Sequence, residues 1–323
     1  MLKIHDLTMP APFMLAPMSG ISDLPYRMIN RSFGCGFTFL EMVNIRSLCA
    51  NTKKTRRMLV TDPADRPLGI QLIGHQPEYI PKAIETLSNL GLKYDLLDFN
   101  AACPAKKLAL GGAGAGMMRT PQQLEESIRL LVKYASVPVT VKIRTGWDHR
   151  SVNAVAIARC CHDAGVHAIF VHGRTRDQGY RGGVDYETIR EVKRSVGVPV
   201  IGSGDIWSAA SAQRMIERTG CDGIAVARGA LGNPWIFPEL SAMLDNAVSP
   251  PRPEPAAVVE TVLRHAAENV RIYGEPIGVM RFRKHLGWYL KELPGARPLR
   301  AQAFKVATLV EIKTFLEQLL HTL

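Results

Sequence analysis

Short, near-continuous apolar runs recur through the first three quarters of the chain. They are FMLAPM at 13–18, FTFLEMV at 37–43, LGIQLIG at 68–74 and YDLLDFN at 94–100, then VPVTVKIRTG from Val137, HAIFVHGRT from His167, VPVIGSGD from Val198 and CDGIAVARG from Cys221. Runs apolar at successive positions predict parallel strands covered on both faces. Helical patterns lie between them: PEYIPKAIETLSNLG closes at Gly91, PQQLEESIRLLVKYA opens on Pro121, and SAASAQRMIERTG ends at Gly220. Eight such strand-helix units in about 235 residues fit an α/β chain folded as a (β/α)8 TIM barrel. A doubly wound open sheet is the structural alternative, but PMSGISD after the first run lacks the GxGxxG turn that seats a dinucleotide.

Near residue 245 the pattern changes. VSPPRPEPAA reads as a stiff, extended link, and three or four amphipathic helical runs follow it: AVVETVLRHAAENVRIY, GVMRFRKHLGWYLKEL and LRAQAFKVATLVEIKTFLEQLL. The expected organisation is a barrel domain over residues 1–246 and a small all-helical C-terminal domain over 247–323.

Composition narrows the class. The chain has 323 residues, 46% apolar, 21% charged and 7% aromatic, which excludes disordered, collagenous and disulfide-stapled proteins. Its formal charge of +11 favours a polyanionic partner. Six scattered cysteines without paired ligand spacing predict a reducing compartment. No leader pattern and no long apolar span are visible, so a cytoplasmic protein without membrane contact is expected. No HExxH or carboxylate pair marks a metal site.

Catalytic groups of a barrel belong at the C-terminal ends of its strands, and polar residues gather there. Pro17 and Met18 follow the first run; Glu41 and Asn44 end the second; Gln71 lies in the third; Asn100 and Cys103 follow the fourth. Lys142 and Arg144 lie in the fifth, His172 and Arg174 end the sixth, Ser203, Gly204 and Asp205 end the seventh, and Arg228 with Gly229 ends the eighth. GSGD and ARGALG are loops whose backbone N–H groups and arginine suit a phosphate, although glycines at tight turns explain them equally well. Gln71 and Lys142 suit the edge of a ring bearing carbonyls and nitrogens. A buried Lys142 otherwise requires a carboxylate partner, with Asp98 or Glu41 available. Cys103, in a loop followed by Lys106 and Lys107, reads as an accessible reactive thiol; packing is the better reading for the other five cysteines.

With NAACPAKK in the middle, APMSGISDLPYR upstream, VHGRT and ALGNPW downstream, and RFRKHLGWYLKELPGA near the end, the sequence resembles the tRNA-dihydrouridine synthases, in particular their bacterial B-type branch. The resemblance spans essentially the whole chain. It implies an FMN-carrying barrel with a helical tRNA-binding domain, a monomer that uses NADPH to reduce a D-loop uridine, position 17 for the B-type branch, to 5,6-dihydrouridine. It implies Pro17, Met18, Gln71, Lys142 and His172 beside the isoalloxazine, and Ser203, Gly204, Asp205, Arg228 and Gly229 around the ribityl phosphate. Cys103 corresponds to the catalytic cysteine, with Asn100 and Arg144 in the substrate pocket and Arg281, Lys284 and His285 toward tRNA. Three features depart from the family pattern: Ala102 where glycine is usual, Ser203 where asparagine is usual, and a glycine-rich segment at 111–116.

The excess charge is clustered. Arg281, Arg283, Lys284, Lys291, Arg297, Arg300 and Lys305 lie in one stretch with Glu292 as its single acid; Arg46, Lys53, Lys54, Arg56 and Arg57 form another with none. Solvated helix faces account for basic residues but not for this clustering, which fits folded RNA. The rival readings are a barrel FMN oxidoreductase acting on a small unsaturated carbonyl or dihydroorotate-like substrate, a Schiff-base aldolase through Lys142, and a non-catalytic RNA-binding barrel.

Overall fold

A computed structural model describes residues 1–291, 293 and 297–322. The chain opens with an antiparallel hairpin, β1 (Leu2–Ile4) and β2 (Leu7–Met9). The main sheet comprises β3 (Phe13–Leu15), β4 (Thr38–Phe39), β5 (Val43–Asn44), β6 (Leu68–Ile73), β7 (Leu96–Ala101), β8 (Val139–Arg144), β9 (Ala168–His172), β10 (Val200–Ser203) and β11 (Gly223–Val226). Every pairing in it is parallel, in the order β3-β11-β10-β9-β8-β7-β6-β4, with β5 also on β6. Leu15 N donates to Phe37 O at 2.9 Å across the remaining seam, nearly closing an eight-position barrel. The predicted TIM-barrel class is observed.

Both faces of the strands are covered, as their apolar runs require: all six residues of β6 and of β7 are buried. Leu2, Ile4 and Met9 of the hairpin share one core with Met14, Phe39, Phe170, Ile201 and Ala225 of the barrel strands. The expected second strand is interrupted. Between β4 and β5 Leu40 N still reaches Gly69 O at 2.9 Å, but Glu41 turns its carboxylate to the Gly20 amide, and the chain resumes pairing only at Val43.

The chain divides into two compact units, one of Met1–Leu24 and Cys35–Ala227, the other of Pro25–Gly34 and Arg228–Leu323. In the second unit, residues 247–254 have no regular structure and the next helix begins at Pro255, where a missing N–H costs nothing. Helices Pro255–Tyr273, Glu275–Tyr289 and Leu309–Thr322 enclose Val258, Val262, Val279, Phe282, Leu286, Ile312 and Leu316. The last predicted helix is split: Arg300–Ala303 ends, and Thr308 starts a new one. Thr308 Oγ1 accepts from Glu311 N at 3.1 Å, a side-chain cap that fixes a fresh N-terminus, and Glu311 accepts from Ala307 N at 2.7 Å just before it.

Candidate active site

The register of the barrel sheet sets the site. Gln71 lies beside Asp98 and Asp98 beside Thr140; one step onward Asn100 lies beside Lys142; at the strand ends Arg144, His172 and Ser203 stand in one row. These polar positions interrupt otherwise apolar strands, so each must find a partner inside the barrel or its mouth.

The partners form one network. Thr140 Oγ1 donates to Asp98 Oδ1 at 2.6 Å and Gln71 Nε2 donates to Asp98 Oδ2 at 2.7 Å. Asn100 Nδ2 donates to Gln71 Oε1 at 2.7 Å, and Asn100 Oδ1 accepts from Cys103 N at 2.8 Å and Ala102 N at 3.0 Å. The predicted substrate residue Asn100 therefore shapes the loop that carries Cys103. Thr140, which sequence reasoning passed over, anchors the far end of the chain. Its hydroxyl in a β-branched run resembles ordinary strand propensity.

Burial pushes the Asp98 carboxyl up to about 6, against the hydrogen bonds of Thr140 and Gln71 and the field of Lys142. Burial, assisted by the charge of Arg144, pulls Lys142 down to about 8, against the opposing pull of Asp98. Asp98 is thus the carboxylate facing Lys142, while Glu41 serves the Gly20 amide. Lys142 Nζ makes no hydrogen bond among the described residues, although Lys142 is only half-buried by area. A half-buried ammonium without a protein acceptor gains from any ligand that supplies one.

Cys103 sits two residues beyond β7, half-buried, with its thiol bonded to none of the described residues. Its loop is fixed on three sides. Besides Asn100, Arg144 Nε donates to Ala102 O at 2.7 Å, and Ala115 N donates to Cys103 O at 3.1 Å. The glycine-rich departure has a packing cause: Gly114, at φ +56°, lies so close that a Cβ there would come within 2.8 Å of Cys103 Cβ and 2.9 Å of its carbonyl. Ala102 is accommodated with its amide and carbonyl both engaged. By contrast Cys161 and Cys221 are buried, and burial pushes both thiols up, as packed side chains require.

The structure gives the other expected residues definite partners. Arg144, 2% exposed, donates through Nη1 to Thr175 O and Gly179 O, both at 2.9 Å, and lies over the Tyr180 ring at 5.8 Å. It binds loop to loop. Asp205 pairs with Arg174, whose guanidinium also holds the carbonyl of Gly182, so the carboxylate braces the turn after β10. Within that turn Gly204 adopts φ +133° and its amide donates to nothing among the described residues. Ser203 is buried in register with His172, and the His172 ring meets Tyr180 edge-on at 6.3 Å. Tyr180, 55% exposed, was not singled out by sequence; its place in a loop without periodicity gave no signal. Pro17 and Met18 are half-buried after β3, where Met18 N donates to Ser22 Oγ at 2.8 Å. Arg228 and Gly229 open a single turn, Arg228–Ala230, directly after β11 in sequence and group with the second unit.

One expectation is corrected. His285, expected toward tRNA, is 1% exposed inside the second unit, its ring 4.7 Å from His265 and 5.2 Å from Tyr26. Burial drives it well below the usual imidazole range and His265 down to about 3, so both are neutral core rings. Arg281 and Lys284 on the same helix are only partly buried, with Arg281 over the Tyr273 ring at 4.3 Å. Among the described residues no group of three His, Cys, Asp or Glu is placed to hold a metal, and no helix is long and apolar enough to cross a membrane.

Comparison with known proteins places the chain. Morphinone reductase shares the barrel fold, with a TM-score of 0.54 over 80% of this chain and 91% of that one at 14% identity. The tRNA-dihydrouridine synthase B of Pseudomonas aeruginosa is 40% identical over 93% of this chain and 90% of that protein. The probable tRNA-dihydrouridine synthase of Rickettsia bellii is 36% identical over 93% of this chain and 92% of its own length. The sequence profile described as Dihydrouridine synthase (Dus) matches residues 14–323, nearly the full length. With relatives this similar over nine-tenths of both chains, and a half-buried thiol held at the mouth of a parallel barrel, the chain belongs to the dihydrouridine synthase family.

Proposed function

We propose that this chain is an FMN-dependent tRNA-dihydrouridine synthase that uses NADPH to reduce a D-loop uridine, position 17, acting as a monomer. The observation that carries this reading is the joining of Cys103 to Lys142's neighbourhood through Asn100, Gln71 and Asp98. A proton donor and an unsatisfied cation share one fixed frame. An isoalloxazine fits that frame: its pyrimidine edge offers the acceptors that Lys142 lacks, and Gln71 keeps one amide hydrogen and one lone pair after its two bonds. Pro17, Met18 and His172 would flank the ring. Gly204's open amide, Ser203 and Asp205's braced turn would receive the phosphate.

When bound, FMN reduced by NADPH supplies the hydride that C6 of the uracil requires. The protein's part begins with the substrate. C6 is electrophilic because the C4 carbonyl conjugates with the C5–C6 bond, so saturation also needs a proton at C5. Cys103 Sγ–H donates it, as a general acid, and recovers a proton from solvent. Asn100 and Arg144 hold the thiol's loop so that no reorganisation is needed at that moment. The uracil reaches this depth only if flipped out of the tRNA. Exposed Arg46, Lys53, Lys54, Arg56 and Arg57 after β5, together with Arg281 and Lys284 of the helical tRNA-binding unit, would contact the phosphate backbone.

Lys142 gives a pH dependence with a definite sign. Its proton is present below about pH 8 and is lost above it, so flavin affinity of the flavin-free protein weakens as pH rises through about 8. FMN titrated by fluorescence quenching from pH 6.5 to 9.5 shows that weakening in the wild type. The Lys142→Met protein binds about tenfold more weakly with a flat profile, and an unchanged profile in it would remove Lys142 from the flavin site. For the function itself, NADPH oxidation by the purified holoenzyme accelerates on adding tRNA that lacks dihydrouridine, and an enzyme indifferent to tRNA would favour the small-substrate reading.

A further inference from the structure

Three loops at the C-terminal end of the barrel strands carry an arrangement that the reaction at Cys103 does not use. Trp147, in the loop after β8, has two guanidiniums over its ring: Arg119 at 4.7 Å from the ring centroid and Arg176 at 4.6 Å. Arg119 closes the turn Gly114–Arg119 that packs on the Cys103 loop, and Arg176 belongs to the loop after β9. The indole gathers two cations at one ring.

The charges are poorly compensated. Arg119 is exposed and forms no ion pair with a described acid. Arg176 pairs through Nη1 with the exposed Asp177, while its Nε is buried and has no hydrogen-bond partner among the described residues. Arg150 and Arg181 stand exposed on the same two loops, also without ion pairs to described acids. The support is rigid: Arg176 N and Asp177 N donate to Gly146 O and Trp147 O, both at 2.9 Å, and Asn153 Nδ2 donates to Met118 O at 2.8 Å. Holding two like charges this way is unfavourable unless an anion bridges them, and pre-ordered guanidinium forks bind phosphate with little ordering cost.

We propose that the Arg119–Trp147–Arg176 stack is a phosphate clamp that grips a phosphodiester of the RNA substrate. This rests on the tRNA reading above. An NADPH phosphate has the same chemistry, but it must reach the flavin and depart each turnover, whereas a rigid two-cation clamp suits a long polyanion held during the reaction.

The test uses full-length flavin-loaded enzyme and unmodified tRNA transcript. In Arg119→Ala, KM for tRNA rises about tenfold at low salt with kcat within about twofold, and the slope of log affinity against log salt falls by about one. Arg119→Lys, which keeps the charge but loses the planar stack, lies between. Trp147→Leu reproduces Arg119→Ala if its melting temperature stays near that of the wild type; Arg119→Ala, altering an exposed side chain, decides the matter otherwise. Unchanged tRNA affinity and slope in Arg119→Ala overturns the clamp. A raised KM for NADPH in the flavin half-reaction, with tRNA binding untouched, overturns it in favour of the nucleotide. If Arg119→Ala shows the predicted slope change but the wild type forms no dihydrouridine, the clamp stands and the functional reading falls.

Discussion

Cys103→Ala retains its flavin and binds tRNA, yet forms dihydrouridine about 10²- to 10⁴-fold more slowly, the range expected when a positioned general acid is removed. Nothing else among the described residues depends on the thiol. The Cys103 backbone is held by Asn100 and by Ala115, but its sulfur is bonded to none of the described residues, so truncation breaks no packing or hydrogen bond that the fold needs. Flavin absorbance and the melting temperature therefore stay near wild type. The reading is single-turnover product formation from pre-reduced enzyme, which excludes the NADPH step. A rate within twofold of wild type would show that the C5 proton comes from another donor.

Gly114→Ala damages the same step from a distance. The residue occupies a left-handed conformation at φ +56°, which costs an L side chain about 1–2 kcal/mol. The added Cβ would also lie 2.8 Å from Cys103 Cβ, so either the turn or the Cys103 loop must yield. The turn is held by Ala115 N on Cys103 O and by Met118, whose carbonyl and sulfur engage Asn153 and Arg144. The Cys103 loop moves with it. A displacement of about 1 Å costs about 10²-fold in rate where geometry carries the catalysis. Single-turnover rate and melting temperature together check this: a lower melting temperature with a full wild-type rate would show that Gly114 supports the fold alone.

The barrel was readable because its parallel strands are buried on both faces and so write themselves as apolar runs. Residues 94–100 predicted β7 and 68–74 predicted β6 nearly to the residue. The N-terminal hairpin left no comparable trace, since LKI and LTM are three residues each and their burial depends on capping the barrel core. The break between β4 and β5 depends on Glu41 meeting Gly20, a contact between distant residues. The final helix split at Thr308 because a local cap prevailed over an amphipathic period that continues through it.

The site was legible where polar residues intrude on apolar strands. Gln71, Asn100 and Lys142 stood out for that reason, and the structure gathers them around Asp98. What sequence could not resolve is which way a polar group points. Asn100 and Arg144 turn toward loop backbone, Asp205 toward Arg174, and His285 into the core of the helical unit, where four aromatic or imidazole rings surround it. A basic helix with a histidine between Lys284 and Leu286 reads as an RNA-facing surface, but helical spacing puts that one position on the buried face.

On the proposed reading, bound flavin would supply the hydride and Cys103 the proton that saturate one flipped uridine of folded tRNA. Purified holoenzyme, incubated with NADPH and an unmodified tRNA transcript and followed by position-resolved mapping of dihydrouridine, tests it most directly. The expected product is dihydrouridine at a single D-loop position, 17, dependent on Cys103 and suppressed by rising salt. No dihydrouridine anywhere in the transcript, with flavin reduced normally and tRNA bound, would contradict it.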